Sequence, residues 1–202
     1  MLNQTRHSQL ILSTSINFGN IEWSNLDNAR IQDGLLSSCD FTTLNISKGM
    51  VCANFGFSIP QNALINSVDI DIVCQKTGVG YIIFDSFRFI VNGVTGSKII
   101  NNTVFPPALS SKIFTFQNNF SLTPEKVNKD SPSFFGIVFG VIGQNATANI
   151  DSVRLTINYE LMNELFVNTN GEWKNADSSY IKVNGVWKPI ERIFIKDNNV
   201  WK

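Results

Sequence analysis

Residues 65–73 read INSVDIDIV, and this alternation decides the fold class. Aliphatic side chains occupy every second position, at Val68, Ile70 and Ile72, and aspartates stand between them. A period of two is the pattern of a β-strand with one face buried and the other turned to solvent. An amphipathic α-helix would place its apolar residues three and four positions apart instead. The segment therefore predicts a strand that packs one face on a core.

Three more segments show strand patterns. Residues 87–93, FRFIVNG, end on Asn-Gly, the pair that best fits a type I′ hairpin turn. Residues 133–143, SFFGIVFGVIG, form a continuous apolar run typical of a central strand. Residues 149–161, NIDSVRLTINYEL, alternate again, with one face running from Val153 to Tyr159. Several short strands of this kind indicate a layered β fold.

Helical patterns are short by comparison. The best candidates are residues 23–33, WSNLDNARIQD, and a turn or two within residues 123–130, TPEKVNKD. Sixteen phenylalanines and many Ile and Val residues favour strands over helices. We therefore predict an all-β protein in which residues 1–160 form an antiparallel β-sandwich or jelly-roll-like domain.

Composition argues against two classes of partner. Only 16% of the 202 residues are charged, and 16 Lys and Arg balance 16 Asp and Glu. A nucleic-acid surface needs clustered Lys and Arg, and the sequence shows no such cluster. No run of about 18 apolar residues is present, so we expect no membrane span. The opening MLNQTRHSQL lacks the apolar core of a secretion signal, and we expect assembly in the cytoplasm.

The three cysteines, Cys39, Cys52 and Cys74, match no metal-binding spacing. We interpret them as free thiols that pack like small apolar side chains. One disulfide with a single thiol left over is the alternative.

The C-terminal part of the chain repeats one phrase three times, as FVNTNGEWK (166–174), YIKVNGVWK (180–188) and FIKDNNVWK (194–202). Each copy reads as a short strand, a two-residue turn and a returning strand, so each predicts a miniature β-hairpin. Asn-Gly suits such a turn because both residues take positive φ, and Asn is the next-best residue at the second position. The predicted turns are Asn170-Gly171, Asn184-Gly185 and Asn198-Asn199.

Each copy also carries two aromatic residues, which we interpret as anchors: Phe166, Trp173, Tyr180, Trp187, Phe194 and Trp201. An isolated two-stranded hairpin is marginal in water, and about 40 residues form a thin core. We therefore predict that residues 166–202, joined by a linker at 161–165, dock on another surface or oligomerise through these anchors. A self-packed cap without a partner and a sugar-binding repeat, with Trp rings stacked on pyranoses, are the alternatives.

Two parts of the chain resemble proteins of tailed bacteriophages. The phrase YIKVNGVWK is similar to the Asn-Gly-x-Trp-Lys repeats of phage tail-tip, fibre and other virion appendage proteins. An ordered series of motifs resembles a β-sandwich domain of phage virion proteins over about residues 15–160: WSNLDNA (23–29), DG (33–34), FGFSIP (55–60), INSVDIDI (65–72) and IDSVRLTINY (150–159). In physical terms, Trp23 reads as a core or edge-capping aromatic, Asp33-Gly34 as a turn and residues 55–60 as a strand ended by Pro60.

The resemblance implies a structural component of the virion, on the tail, fibre, collar or capsid surface. It implies a homo-oligomer, with a trimer as one candidate, that contacts other virion proteins and host-surface glycans. The alternative function, from a different class, is a carbohydrate-binding module that recognises a receptor. We expect no cofactor.

Catalytic patterns are weak. A nucleophilic triad needs a base, and the one histidine is His7, near the N-terminus. A glycosidase needs only two carboxylates, which leaves a polysaccharide hydrolase as a distant third possibility. The candidate carboxylates read as a solvated face rather than as a catalytic pair or a Ca²⁺ site: Asp69, Asp71, Asp85, Asp151 and Glu160. We therefore expect a protein that is not an enzyme and holds no metal.

Overall fold

The computed structural model describes residues 1–119, 121–129 and 134–162, and, further along, the backbone of six short strands. The chain divides into two units, Met1–Leu161 and Met162–Lys202. The first unit contains two antiparallel β-sheets, which confirms the predicted all-β, sandwich-like fold class.

The first unit is built almost entirely from strands. They are β1 (Leu2–His7), β2 (Leu10–Thr14), β3 (Ser37–Phe41), β4 (Asn45–Ile46), β5 (Gly49–Ala53), β6 (Ala63–Thr77), β7 (Tyr81–Val91), β8 (Val94–Thr95), β9 (Ile99–Ile100), β10 (Ser110–Gln117), β11 (Gly136–Gln144) and β12 (Ala146–Leu161). The two helical candidates form single turns, a 3-10 helix at Leu26–Ala29 and α1 at Pro124–Val127.

The strands form a five-stranded and a seven-stranded sheet. In the five-stranded sheet the order is β1-β12-β6-β10, and β3 pairs with the first part of β12. In the seven-stranded sheet the order is β2-β5-β11-β7-β8, with β4 added to β11 and β9 added to β7. The apolar run of residues 133–143 thus supplies the central strand β11, as predicted.

Aromatic rings join the inner faces of the two sheets. Phe84 of β7 lies 5.0 Å from Phe114 of β10, measured between ring centroids, and Phe87 lies 4.7 Å from the same ring. Phe105, in a loop, contacts Phe84 at 4.5 Å in a tilted arrangement, and Phe139 of β11 lies 6.0 Å from Phe84. The inner face of β6 meets this layer with fully buried aliphatic side chains, at the positions predicted by the alternation: Val68, Ile70 and Ile72.

Two local predictions are confirmed. Asn92 and Gly93 connect β7 to β8 with φ angles of 52° and 73°, as the type I′ turn requires. Trp23 is buried, and its indole Nε1 donates to the carbonyl oxygen of Lys48 at 2.8 Å.

The predicted strand over residues 55–60 is wrong. Positive φ angles at Asn54 (55°) and Gly56 (64°) bend the chain out of the extended conformation. Side chains, rather than a strand ladder, then bond the backbone of this segment. The Ser58 N–H donates to Gln4 Oε1 and the Ile59 N–H to Asn128 Oδ1, both at 2.8 Å.

In the second unit the backbone is described for three antiparallel strand pairs. They are β13 (Phe166–Thr169) with β14 (Glu172–Asn175), β15 (Tyr180–Val183) with β16 (Val186–Pro189), and β17 (Lys196–Asp197) with β18 (Val200–Trp201). The predicted turn residues lie outside the described residues: Asn170, Gly171, Asn184, Gly185, Asn198 and Asn199.

We expect truncation of Phe84 to be costly. Phe84→Ala removes a buried ring that contacts four others, and buried Phe→Ala changes cost about 3–5 kcal/mol. Urea unfolding followed by circular dichroism measures the loss. Ile100→Ala is the control, because that side chain is 71% exposed and its truncation should change the free energy of unfolding by less than about 1 kcal/mol. Equal losses for the two variants would contradict this account of the core.

Candidate functional site

The outer face of the five-stranded sheet carries polar side chains in cross-strand rows. Residues directly opposite each other in an antiparallel pair share one face, so the strand register defines each row. The rows are His7–Arg154–Asp71–Ile113, Thr5–Thr156–Asp69–Thr115 and Asn3–Asn158–Ser67–Gln117. We call these three rows the polar face.

Hydrogen bonds and an ion pair join side chains within the rows of the polar face, and one bond joins two of the rows. Arg154 forms an ion pair with Asp71 through Nη2. Asn158 Nδ2 donates to Asp69 Oδ2 at 2.8 Å, and the hydroxyls of Thr5 and Thr156 lie 2.8 Å apart. The face is therefore an ordered polar network rather than a set of independent solvated side chains.

The interpretation of the five carboxylates as a solvated face is wrong for most of them. Asp69 and Asp71 are half-buried and bonded as described. Asp85 pairs with Lys98, at 2.9 Å between Oδ2 and Nζ, and its side chain is only 13% exposed. Glu160 alone is exposed, as predicted. Strand alternation indicates which residues face outward, but it does not indicate how neighbouring strands cover them.

Asp151 differs most from the predicted solvated face, because it is only 1% exposed. It occupies a β-bulge in β12, between Ile150 and Ser152, where the register with β6 shifts. Its Oδ1 accepts the backbone N–H groups of Asp33 and Gly34 at 3.2 and 2.9 Å. Gly34 has a φ of 84°, so the predicted Asp33-Gly34 turn is present. The buried carboxylate fixes this turn against the sheet.

The arrangement of the carboxylates does not favour a cation site on the polar face. The Arg154 guanidinium already neutralises Asp71, which a Ca²⁺ site on this strand face would need together with Asp69. Within residues 1–119, 121–129 and 134–162, no three His, Cys, Asp or Glu side chains converge as a metal centre would require. His7 stands beside Arg154 in its row.

The seven-stranded sheet has a very different outer face. A groove of about 230 Å³ is lined by the buried side chains of Val51, Ile90 and Val138, against which Phe18 packs. The Phe18 ring lies against the backbone of Gly49 and Gly140, where a Cβ atom would come within 2.6 Å of the ring. The two outer faces of the sandwich therefore differ in chemistry, one polar and one apolar.

All three cysteines are free and buried, which confirms their interpretation as packed thiols. Burial raises the pKa of the Cys39 thiol to about 12, with Asp40 and Glu22 adding to the effect. Burial also raises the pKa of Cys74 to about 12, against a smaller lowering by Lys112. Burial alone raises the pKa of Cys52. None of the three therefore has the thiolate character that a nucleophile needs.

The predicted anchors fall where side chains are not described. Phe194 lies outside the described residues, as do the side chains of Phe166, Trp173, Tyr180, Trp187 and Trp201. Their role as attachment or oligomerisation contacts stays a prediction.

Sequence reasoning missed most of the polar face. Thr156 and Asn158 alternate with the buried residues Leu155 and Ile157, so their outward direction was readable from β12. Their bonding partners on β1 and β6 follow from register, which the sequence does not encode locally.

The chain matches no protein-family model, no curated protein and no solved structure. In the part of the chain that the structure describes, no helix has the length and apolar character needed to cross a bilayer.

We expect Asp151→Ala to destabilise the first unit, because it leaves two backbone N–H groups without their acceptor. Loss of such buried bonds to a charged group costs about 1.5–3 kcal/mol in chemical unfolding. Asp151→Asn keeps one acceptor oxygen and should lose less. Asp27→Ala is the control, since the Asp27 side chain is 84% exposed. An Asp151→Ala variant as stable as the control would contradict the anchoring role.

The thiols should resist modification in the folded protein. At pH 8 the raised pKa values leave almost no thiolate, and burial blocks access to Cys39, Cys52 and Cys74. Ellman's reagent should therefore react slowly with native protein and release the full colour of three thiols after denaturation in guanidinium. Rapid labelling of any thiol without denaturant would contradict the packing described.

Proposed function

We propose that this chain is a non-enzymatic structural component of a tailed-phage virion that acts in assembly and host-surface attachment. The observation that carries the proposal is the threefold sequence repeat, in which each copy contains an antiparallel strand pair. The all-β first unit, with one continuous hydrophobic core, supplies a rigid body from which such a repeat would act.

Size is the physical reason to assign the repeat an attachment role. Strand pairs of two to four residues per strand are marginal alone in water. The second unit spans about 40 residues, a length at which a chain usually needs a partner surface to stay folded. Large aromatic side chains such as those of Trp173, Trp187 and Trp201 are the residues that most often dominate protein interfaces. Joining to another surface would supply the burial that the unit lacks.

An attachment role implies two kinds of partner. They are further copies of the chain, with a trimer as one candidate, and other virion proteins. The site of action is the virion, on the tail, fibre, collar or capsid surface, after assembly in the host cytoplasm. The phage resemblance of residues 15–160 and 166–202 supports this placement.

A second function, carbohydrate recognition at the host surface, is favoured by one specific observation. The polar face presents carboxylate, guanidinium, amide and hydroxyl groups together on a rigid sheet. Groups of these kinds bond saccharide hydroxyls, which both donate and accept. This function is compatible with the assembly role, since the two use different units of the chain.

The assembly role predicts that the second unit sets the oligomeric state. Light scattering of the full chain should give a multiple of its 22.6 kDa mass, whereas a chain ending at Leu161 should be a monomer. The triple change of Trp173, Trp187 and Trp201 to Ala should also shift the mass towards a monomer, because it removes the apolar anchors.

Val79→Ala is the matched control, since Val79 is an apolar residue of the first unit that is 97% exposed. It should leave the mass unchanged. A full chain and a truncated chain that are both monomeric, with equal incorporation into particles, would contradict the proposed assembly role.

A further inference from the structure

Strand β10 forms one edge of the five-stranded sheet, and among the described strands it pairs with β6 alone. It runs for eight residues without a bulge, whereas β1, β2 and β8, which end the other sheet orders, have six, five and two residues. The opposite edge, β1, is flanked by residues 56–58, whose backbone is bonded by the side chains of Arg6 and Gln4. Folded proteins usually keep such edges short, bulged, charged or covered. The long, regular edge at β10 is therefore a candidate for pairing with another strand.

The hydrogen-bond pattern shows which backbone groups of β10 face outward. The Asn118 N–H donates to the carbonyl oxygen of Asn66 at 2.9 Å, in the register that β10 and β6 share. In an antiparallel pair, residues alternate between bonding the partner strand and pointing away from it. Counting back from Asn118, the N–H and C=O groups of Ser111, Ile113 and Thr115 point to the open edge. In the described part of the chain no group bonds them.

The side chains of the same residues suit pairing. Ser111, Ile113 and Thr115 are exposed and uncharged, and they lie on the outer side of the sheet. Ile113 is 65% exposed and is the only apolar member of the three rows of the polar face. This edge therefore lacks outward-facing charges, which commonly prevent association between strands. A second strand beside β10 would remove the Ile113 side chain from water.

Lys112 is the one charged residue of β10, and it limits the register of such a pair. It lies opposite a buried residue of β6, so its side chain leaves the strand on the core side. A two-fold axis at Lys112 would set two ammonium groups directly opposite each other, which is destabilising. A two-fold axis at Ile113 instead sets Lys112 opposite Phe114 of the second copy. Each Ile113 then faces its own counterpart, and Ser111 faces Thr115.

We propose that β10 pairs antiparallel with β10 of a second copy of the chain, about a two-fold axis at Ile113. The free N–H and C=O groups of Ser111, Ile113 and Thr115 bond those of the second copy, and the two Ile113 side chains pack together. Such a contact uses the same surface on both copies, as two-fold interfaces do. The five-stranded sheets of the two copies become one continuous sheet.

A single strand edge is a small interface. Stable interfaces bury about 1,200–2,000 Å² in total, which is more than one strand pair supplies. The pairing therefore rests on the assembly role proposed above, in which the second unit joins the copies. Tethering raises the effective concentration of one β10 edge near another to about millimolar. The edge contact then forms within an oligomer that already exists, and a chain ending at Leu161 stays a monomer.

The test is disulfide crosslinking of the full chain carrying Ile113→Cys. Residues that bond each other across antiparallel strands have Cα atoms about 5.5 Å apart, within the range of a disulfide. Under mild oxidation a covalent dimer should appear on a non-reducing gel, at least about tenfold faster than for Thr115→Cys. The unchanged protein, whose three cysteines are buried, gives the background rate.

Thr115→Cys is the matched control, because Thr115 is exposed on the same face of the same strand. In the proposed register it lies four residues along the strand from its own counterpart, or about 14 Å. That distance is too long for a disulfide. Collisions between free chains would crosslink the two variants equally.

A double variant tests the register itself. Ser111→Cys combined with Thr115→Cys should crosslink about as fast as Ile113→Cys, because position 111 of one copy faces position 115 of the other. Within one chain the two positions are too far apart to bond each other. Melting temperatures confirm that each variant is folded.

Equal crosslinking rates for Ile113→Cys and Thr115→Cys, or a slow double variant, would overturn the proposal. Light scattering separates this failure from failure of the assembly role. An oligomer in which Ile113→Cys crosslinks no faster than Thr115→Cys refutes the pairing of β10 and leaves the assembly role standing. A full chain that is a monomer and crosslinks at neither position refutes both.

Discussion

The first unit depends on β-bulges that allow side chains three residues apart to face the same core. In a regular strand Phe84 and Phe87 would point to opposite faces. The register between β7 and β11 shifts between Gly140 and Val141, and the alternation restarts, so both rings reach the layer between the sheets. The bulge at Asp151 does the same for Ile150 and Val153 in β12, which are both fully buried.

These bulges also decide where polar groups lie. Restarting the alternation places Ser152 and Arg154 on the outer side of β12, and the bulge itself turns Asp151 into a buried bond with the Asp33-Gly34 turn. The aromatic core and the polar face are therefore consequences of the same irregularities in strand pairing. A sheet without them would bury a different set of residues.

Much of the fold could be predicted from the sequence, because the strongest signals are local. The alternation of residues 68–73 predicts which of these β6 side chains face the core, and the apolar run at 133–143 predicts the central strand β11. The strand predicted over residues 55–60 is absent for a local reason, since Asn54 and Gly56 adopt positive φ in a segment that otherwise resembles a strand. The polar face was not predictable, because it is assembled by register among four strands whose segments lie far apart in the chain.

A rigid sheet is a suitable support for recognition by hydroxyl-bonding groups. Such groups bind well only when their positions are fixed in advance, because ordering free side chains on binding consumes much of the gain. On the polar face the ion pair of Arg154 and Asp71 and the bond from Asn158 to Asp69 hold the side chains before any ligand arrives. The ion pair uses Arg154 Nη2 and leaves Nε without a partner, and the bond from Asn158 uses Asp69 Oδ2 and leaves Oδ1 without one. The network therefore fixes polar side chains on a rigid sheet, which is the arrangement that the carbohydrate-recognition function proposed above would need.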